Sequence, residues 1–96
     1  MANGLGQFYS GLGQVRLLQG RYEEGEKYLK EAIECLKRHG YYWGREKAEA
    51  CMALLLLKTG RKEEAREYFK ESRRISEKIK NPSTELLLRE VERELK

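Results

Sequence analysis

The chain has 96 residues, with 20 Lys or Arg against 16 acidic residues and a formal net charge of +4. This length allows a single domain, and the sequence contains no run of about 18 apolar residues that could span a membrane. All the acidic residues are Glu, which is tolerated in helix interiors, whereas Asp favours caps and turns. The composition therefore predicts an all-α fold, and because no signal peptide is visible at the N-terminus we expect a cytoplasmic protein.

The first two predicted helices form a hairpin. A helix over about 3–19 is followed by one over about 22–38, in which Leu29, Ala32 and Ile33 recur at the three- and four-residue steps of one helix face. Gly20 and Gly40 follow the two helices, where a glycine in the left-handed conformation commonly ends a helix. Because the connection is short, we expect the two helices to pack antiparallel.

The third and fourth predicted helices, over about 42–58 and 62–80, form a second hairpin with Gly60 between them. Residues 50–57 are eight consecutive apolar residues, and they cover the whole circumference of a helix with about 3.6 residues per turn. Such a helix is buried on several sides, so the third helix is expected at the centre of the molecule. Asn81 and Pro82 then predict the N-cap and first position of a fifth helix over about 83–95.

An internal repeat of forty residues underlies this order. Residues 17–31 read LLQGRYEEGEKYLKE, and residues 57–71 read LKTGRKEEAREYFKE, so the Gly-Arg-x-Glu-Glu turn coincides in both. A repeat of this length is typical of arrays in which each helical hairpin buries its apolar face against its neighbour.

The two hairpins resemble the tetratricopeptide repeat, whose first helix reads Trp-x-x-Leu-Gly-x-x-Tyr and whose second reads Ala-x-x-x-Phe. The matching residues are Tyr9, Leu12, Gly13, Gly25 and Leu29 in the first hairpin and Met52, Ala53, Ala65 and Phe69 in the second. The resemblance implies one domain over residues 1–96, with hairpins over about 3–38 and 42–80 wound into a right-handed superhelix and a capping helix over about 83–95. It also implies that the small residues allow close helix packing and that Leu29 and Phe69 fill the gap between hairpins.

The function implied by this resemblance is a protein-binding scaffold. In the family, one side of the first helix of each hairpin lines a concave groove that accepts a helix or peptide. The matching strips predict six partner-binding residues: Ser10, Gln14, Leu17, Ala50, Leu54 and Leu57. Ser10, Gln14, Ala50 and Leu54 do not match the Lys and Asn clamp of members that bind chaperone C-termini, so we expect a different protein or peptide partner. The alternative, that helix one or helix five simply covers the apolar strip, remains open.

Two other functions remain open. The chain could self-assemble into a homodimer, as a fragment of a longer array or an engineered chain, because a terminal hairpin exposes a face that a neighbour would cover. A weaker alternative is nucleic-acid binding through a basic ridge on helix four: Lys62, Arg66, Lys70, Arg74 and Lys78. Glu63, Glu67 and Glu71 precede three of these cations by three residues. No exposed aromatic side chain is expected among them, so the pattern does not favour nucleic acid.

The sequence predicts no catalytic, metal or cofactor site. His39 is the only histidine, and no Ser or Cys pairs with a histidine and an acid in a recognisable spacing. The glycines at Gly4, Gly6, Gly11 and Gly13 lack the preceding strand and the following Lys-Ser/Thr of a phosphate-binding loop. We therefore expect a protein without enzymatic activity.

Overall fold

The computed structural model describes residues 2–96, with side chains from Gly4 onward; Met1, where the predicted domain range begins, lies outside the described residues. Within this range the chain forms five helices: α1 (Ala2–Leu18), α2 (Tyr22–Arg38), α3 (Arg45–Lys58), α4 (Lys62–Ser76) and α5 (Pro82–Leu95). The described chain contains no strand, so the predicted all-α fold is confirmed. α1 packs along α2 and α3 along α4, and α5 packs against α3 and α4.

Three helices end on the same turn. Gly20, Gly40 and Gly60 have φ angles of 75°, 71° and 76°. After Gly20 the amide of Arg21 donates to the carbonyl of Arg16 at 2.8 Å, and after Gly60 the amide of Arg61 donates to the carbonyl of Leu56 at 2.8 Å. These bonds satisfy carbonyls that a helix end would otherwise leave unpaired. The predicted helix-ending glycines are confirmed, and the turns at Gly20 and Gly60 repeat the forty-residue spacing in three dimensions.

α3 is the centre of the molecule. It contacts each of the other four helices, and every residue from Ala48 to Leu56 is buried. The prediction that the third helix is buried on several sides is therefore confirmed. The core around it is formed by Leu29, Ala32 and Ile33 of α2, Met52 and Leu55 of α3, Ala65 of α4 and Val91 of α5.

α3 begins at Arg45 rather than at the predicted residue 42. Gly44 precedes it with φ 87°, and the Gly44 amide donates to the carboxylate of Glu46 at 2.8 Å. Residues 41–43 therefore form a loop before the helix, and this loop leaves Tyr41, Tyr42 and Trp43 exposed.

α4 ends at Ser76, before the predicted residue 80, because the chain must turn to bring the start of α5 to α3. The carboxylate of Glu46, which is fully buried, accepts hydrogen bonds from the side-chain amide of Asn81 at 3.2 Å and from the hydroxyl of Thr84 at 3.1 Å. Asn81 also caps α5 by accepting from the Ser83 amide at 3.2 Å, and Pro82 is the first helical residue. The predicted N-cap and proline are confirmed.

Small residues allow the helices to approach one another, as predicted. A Cβ atom at Gly13 would lie 2.5 Å from Cγ of Leu29, and one at Gly25 would lie 3.0 Å from Cδ1 of Leu55. Leu29 is fully buried, whereas its repeat equivalent Phe69 is only half-buried at the edge of the core. Phe69 is less covered than expected because a single helix, α5, follows the second hairpin; the guanidinium of Arg73 lies 5.6 Å from its ring centroid.

Candidate functional site

A groove of about 300 Å³ lies on one side of the molecule, where α1, α3 and α5 come together. It is lined by Gln14, Leu17 and Leu18 of α1, Tyr22 of α2, Leu54 and Lys58 of α3, and Leu87 and Glu90 of α5. Leu17 and Leu54 are almost completely buried and form its floor, while Leu18 is 79% exposed at its edge. The groove therefore combines an apolar floor with polar groups along its sides, which is the usual composition of a binding site.

The structure brings together three of the six predicted partner-binding residues. Gln14, Leu17 and Leu54 line the groove. Ser10 is buried and Ala50 has no exposed surface, so a partner cannot touch Ala50 in this conformation. Leu57 packs against the hydrophobic core beside the groove. The predicted strip on α3 is thus narrower than expected, because α5 packs over part of that helix.

The remaining lining residues were not predicted from the sequence. Lys58 lies one helical turn after Leu54, so extending the predicted strip by four residues would have found it. Leu87 of α5 contacts the core while also lining the groove. Its contribution depends on where α5 docks, which no local sequence pattern specifies.

Charged groups of both signs border the groove. Nζ of Lys58 lies 3.8 Å from Oε2 of Glu94, and both side chains are about 40% exposed. Glu90 lies one turn before Glu94 on the same side of α5. An exposed ion pair of this kind contributes little to stability, so Lys58 can exchange its contact with Glu94 for one with a partner at low cost.

The second hairpin is joined to the first through Arg61, in the turn between α3 and α4. Its guanidinium donates to both carboxylate oxygens of Glu26 on α2, at 2.7 and 2.8 Å, and also contacts Glu64. The Arg61 guanidinium holds the pKa of Glu26 below its usual value. This bidentate contact fixes the relative position of the two hairpins at the turn that precedes α4.

The basic ridge on α4 is largely neutralised by its own helix. Arg66, Lys70 and Arg74 lie 3.4, 3.7 and 2.6 Å from Glu63, Glu67 and Glu71, respectively, as predicted from the spacing. The Arg74 guanidinium also holds the pKa of Glu71 below its usual value.

One expectation about this ridge is wrong. Tyr42 is exposed beside it and, with Arg74, Ile75, Lys78 and Ile79, lines a cavity of about 210 Å³. The late start of α3 places this ring at the end of α4, which the sequence pattern did not show.

The part of the chain that the structure describes contains neither a membrane-spanning helix nor a metal site. Within residues 2–96, no helix is both long and apolar enough to cross a membrane. The same residues hold no group of three or more His, Cys or Glu side chains placed to bind a metal ion.

Antiparallel helical hairpins, repeated with the same glycine turn and bordered by a groove, define a helical-repeat protein. A family model of the tetratricopeptide repeat matches residues 4–78, and the chain belongs to the tetratricopeptide repeat family. Such repeats generally mediate protein–protein interactions and are generally scaffolds rather than enzymes. No curated protein and no solved structure matches the chain.

Proposed function

We propose that this protein binds a helix or an extended peptide of another protein in the groove between α1, α3 and α5. The observation that carries the proposal is the convergence of apolar side chains from three helices, Leu17, Leu54 and Leu87, in one groove of about 300 Å³. The family's general role in protein–protein interaction supports the same function.

The groove favours a partner with an apolar anchor. Leu17 and Leu54 offer a preformed floor, so an inserted aliphatic side chain would replace water without displacing a helix. Lys58 and Glu90 offer one charge of each sign beside it. An amphipathic helix, with apolar residues spaced three and four apart and polar residues on its flanks, satisfies both features.

The test compares two adjacent leucines on α5. Leu87 lines the groove, whereas Leu86 is 66% exposed and is not among its lining residues. Amphipathic peptides of about 15 residues, selected from a phage-displayed library, are titrated against the wild type, Leu87→Gln and Leu86→Gln by fluorescence anisotropy. Because burying one leucine side chain contributes about 1.5–3 kcal/mol, we expect Leu87→Gln to weaken binding by about tenfold or more.

Leu86→Gln should bind the same peptides with the wild-type affinity, and circular dichroism should show that both variants remain folded. If Leu87→Gln and Leu86→Gln bind the peptides with the same affinity, the peptides bind outside the groove. If Leu87→Gln binds normally while Lys78→Glu, just after the end of α4, loses binding, the peptide occupies the cavity that Lys78 and Tyr42 line.

Nucleic-acid binding through the basic ridge is not part of this proposal. Three of its five cations already form ion pairs with carboxylates on the same helix, and the charges available to phosphates are correspondingly fewer.

A further inference from the structure

The outer face of α1, opposite α2, is apolar and uncovered. Leu5, Phe8 and Val15 are exposed there, with Phe8 60% exposed. α1 buries Gly6, Ser10, Gly13 and Leu17 on its other side, so three of these four buried residues are small, while several large apolar side chains point away from the core. A helix of an isolated globular domain normally shows the opposite arrangement.

Four residues of this face follow the spacing of a helix–helix seam. Gly4, Phe8, Gly11 and Val15 alternate steps of four and three residues, and at about 100° per residue they occupy an arc of about 60° on the helix. We call these four residues the α1 seam. It alternates a glycine with a large apolar side chain along its whole length.

The glycines of the seam are not required by the fold of the chain itself. A Cβ atom at Gly4 or Gly11 would meet no other part of the described chain within 4 Å, whereas one at Gly6 or Gly13 would lie 2.7 or 2.5 Å from a leucine of α2. Exposed glycines inside a helix destabilise it. A second helix that approached closely at these two positions would explain their presence on the outer face.

The α1 seam is complementary to itself. Consider two antiparallel α1 helices related by a twofold axis that passes midway between Tyr9 and Ser10. In this arrangement residue 8 faces residue 11 of the other copy, and residue 4 faces residue 15. Phe8 therefore lies opposite Gly11, and Val15 lies opposite Gly4. Each large side chain meets a glycine, which is the packing that interdigitated helices need.

The electrostatics of this face also fit a second copy of the chain. The first fifteen residues contain no charged side chain, although 38% of the whole chain is Asp, Glu, Lys or Arg. A twofold interface brings the same patch of both copies together, so a charged patch would repel itself and an uncharged one does not. The α1 seam has this property.

We propose that two copies of this chain associate through antiparallel packing of their α1 seams, with Phe8 of each copy seated against Gly11 of the other. None of the four seam residues lines the groove, and the proposal does not rest on the function proposed above. Its two large side chains, Phe8 and Val15, are 60% and 45% exposed, so its apolar area is at most on the order of a few hundred Å² per copy. Two such patches lie below the roughly 1,200–2,000 Å² total of stable interfaces, so the dimer is reversible and depends on protein concentration.

The test exchanges the large and the small residue of the seam. Sedimentation equilibrium of the full chain, from about 5 µM to about 1 mM, should show a mass that rises from 11.3 kDa towards twice that value. Phe8→Gly removes the side chain that fills the gap, and Gly11→Phe places two phenylalanines opposite each other. Each single variant should weaken association by about tenfold or more.

The double variant Phe8→Gly with Gly11→Phe again sets a phenylalanine of one copy against a glycine of the other, and it should restore association to within about threefold of the wild type.

A matched control removes an exposed apolar side chain elsewhere. Leu86→Gly, on α5, should associate as the wild type does. Circular dichroism should show that all variants keep the helical content of the wild type. A wild type that remains at 11.3 kDa over the whole range would overturn the proposal and assign this face to a different protein or another repeat. The proposal is also overturned if the exchanged double variant stays as weak as the single ones, or if Leu86→Gly dissociates the dimer as Phe8→Gly does.

Discussion

The glycines of α1 fall into two pairs with opposite effects on stability. Gly6 and Gly13 lie under Leu36 and Leu29, where a Cβ atom would come within 2.7 and 2.5 Å of the leucine side chain. Gly4 and Gly11 point outward and lack such a neighbour in the described chain. The inner pair allows α1 and α2 to pack closely, while within a single chain the outer pair makes no such contact and adds flexibility to the helix.

This difference predicts opposite outcomes for two alanine substitutions. Gly11→Ala should raise the free energy of unfolding by up to about 1 kcal/mol, because alanine loses less entropy than glycine in a helix. Gly13→Ala should lower it by about 1–3 kcal/mol, because the methyl group forces Leu29 out of its position. Urea unfolding at low protein concentration, where association through α1 is negligible, measures both. Equal effects of the two substitutions would contradict the close approach at Gly13.

Glu49 is a buried acid whose ion pair does not offset its burial. Its carboxylate lies 3.3 Å from Nε of Arg45, yet burial raises the pKa of Glu49 to about 7 against the opposing effect of the Arg45 charge. Between the ordinary pKa of 4.5 and about 7, the folded chain therefore binds a proton at this site more tightly than the unfolded chain does. It follows that the contribution of Glu49 to stability falls as the pH rises through this window and stays low above it.

Replacing this acid with a neutral isostere should remove the effect. The free energy of unfolding of the wild type minus that of Glu49→Gln should decrease by about 1–3 kcal/mol between pH 5 and pH 8. Urea unfolding at several pH values measures this difference, and other titrating groups cancel in the subtraction. Glu31→Gln, at an exposed position of α2, is the control and should follow the wild type. Parallel curves for the wild type and Glu49→Gln would show that Glu49 is ionised in the folded protein throughout this range.

At the scale of elements, the start of α5 is anchored by a carboxylate of α3. Glu46, in the first turn of α3, accepts hydrogen bonds from Gly44 just before its own helix and from Asn81 and Thr84 at the start of α5. In addition, the hydroxyl of Ser72 on α4 donates to the Glu46 backbone carbonyl at 2.6 Å. A single residue thus links α3, α4 and α5, and it fixes the wall of the groove that contains Leu87.

Removing this carboxylate should loosen α5 selectively. Glu46→Ala leaves the buried Thr84 hydroxyl without its acceptor, so we expect a loss of about 2–3 kcal/mol in the free energy of unfolding. Hydrogen exchange should show the amides of α5 opening more readily, with those of α1 and α2 little changed. Glu85→Ala is the matched control, because Glu85 joins α5 to Arg73 of α4 through a partly exposed ion pair at 2.8 Å. That substitution should cost less than about 1 kcal/mol. A uniform rise in exchange across all helices in Glu46→Ala would contradict a local role for Glu46.

At the scale of the whole molecule, the features that the sequence predicted are local or repeated. The glycine turns, the Asn81–Pro82 start of α5 and the central position of α3 each follow from a few adjacent residues. The start of α3 was misplaced for a local reason, the left-handed Gly44 whose amide donates to Glu46. The end of α4 was misplaced because the chain turns there so that Asn81 and Thr84 can donate hydrogen bonds to Glu46, 35 and 38 positions away. The same long-range contacts decide where Leu87 and Glu90 join Gln14, Leu17 and Leu54 in the groove, so only part of the site was visible in the sequence.

The matching turns at Gly20 and Gly60 also make the chain extensible. A copy of residues 21–60 spliced in after Gly60 would begin on a Gly–Arg junction of the same type as Gly20–Arg21, with Gly60 followed by Arg21. It would end on the Gly60–Arg61 junction that the protein already contains. The duplicated segment would carry the α2–α3 interface with it, while α1 and α5 kept the two ends. Each added copy would contribute another α3 to the groove side. The length of partner that the array could contact would therefore grow by one repeat at a time, with the same type of Gly–Arg turn at each junction.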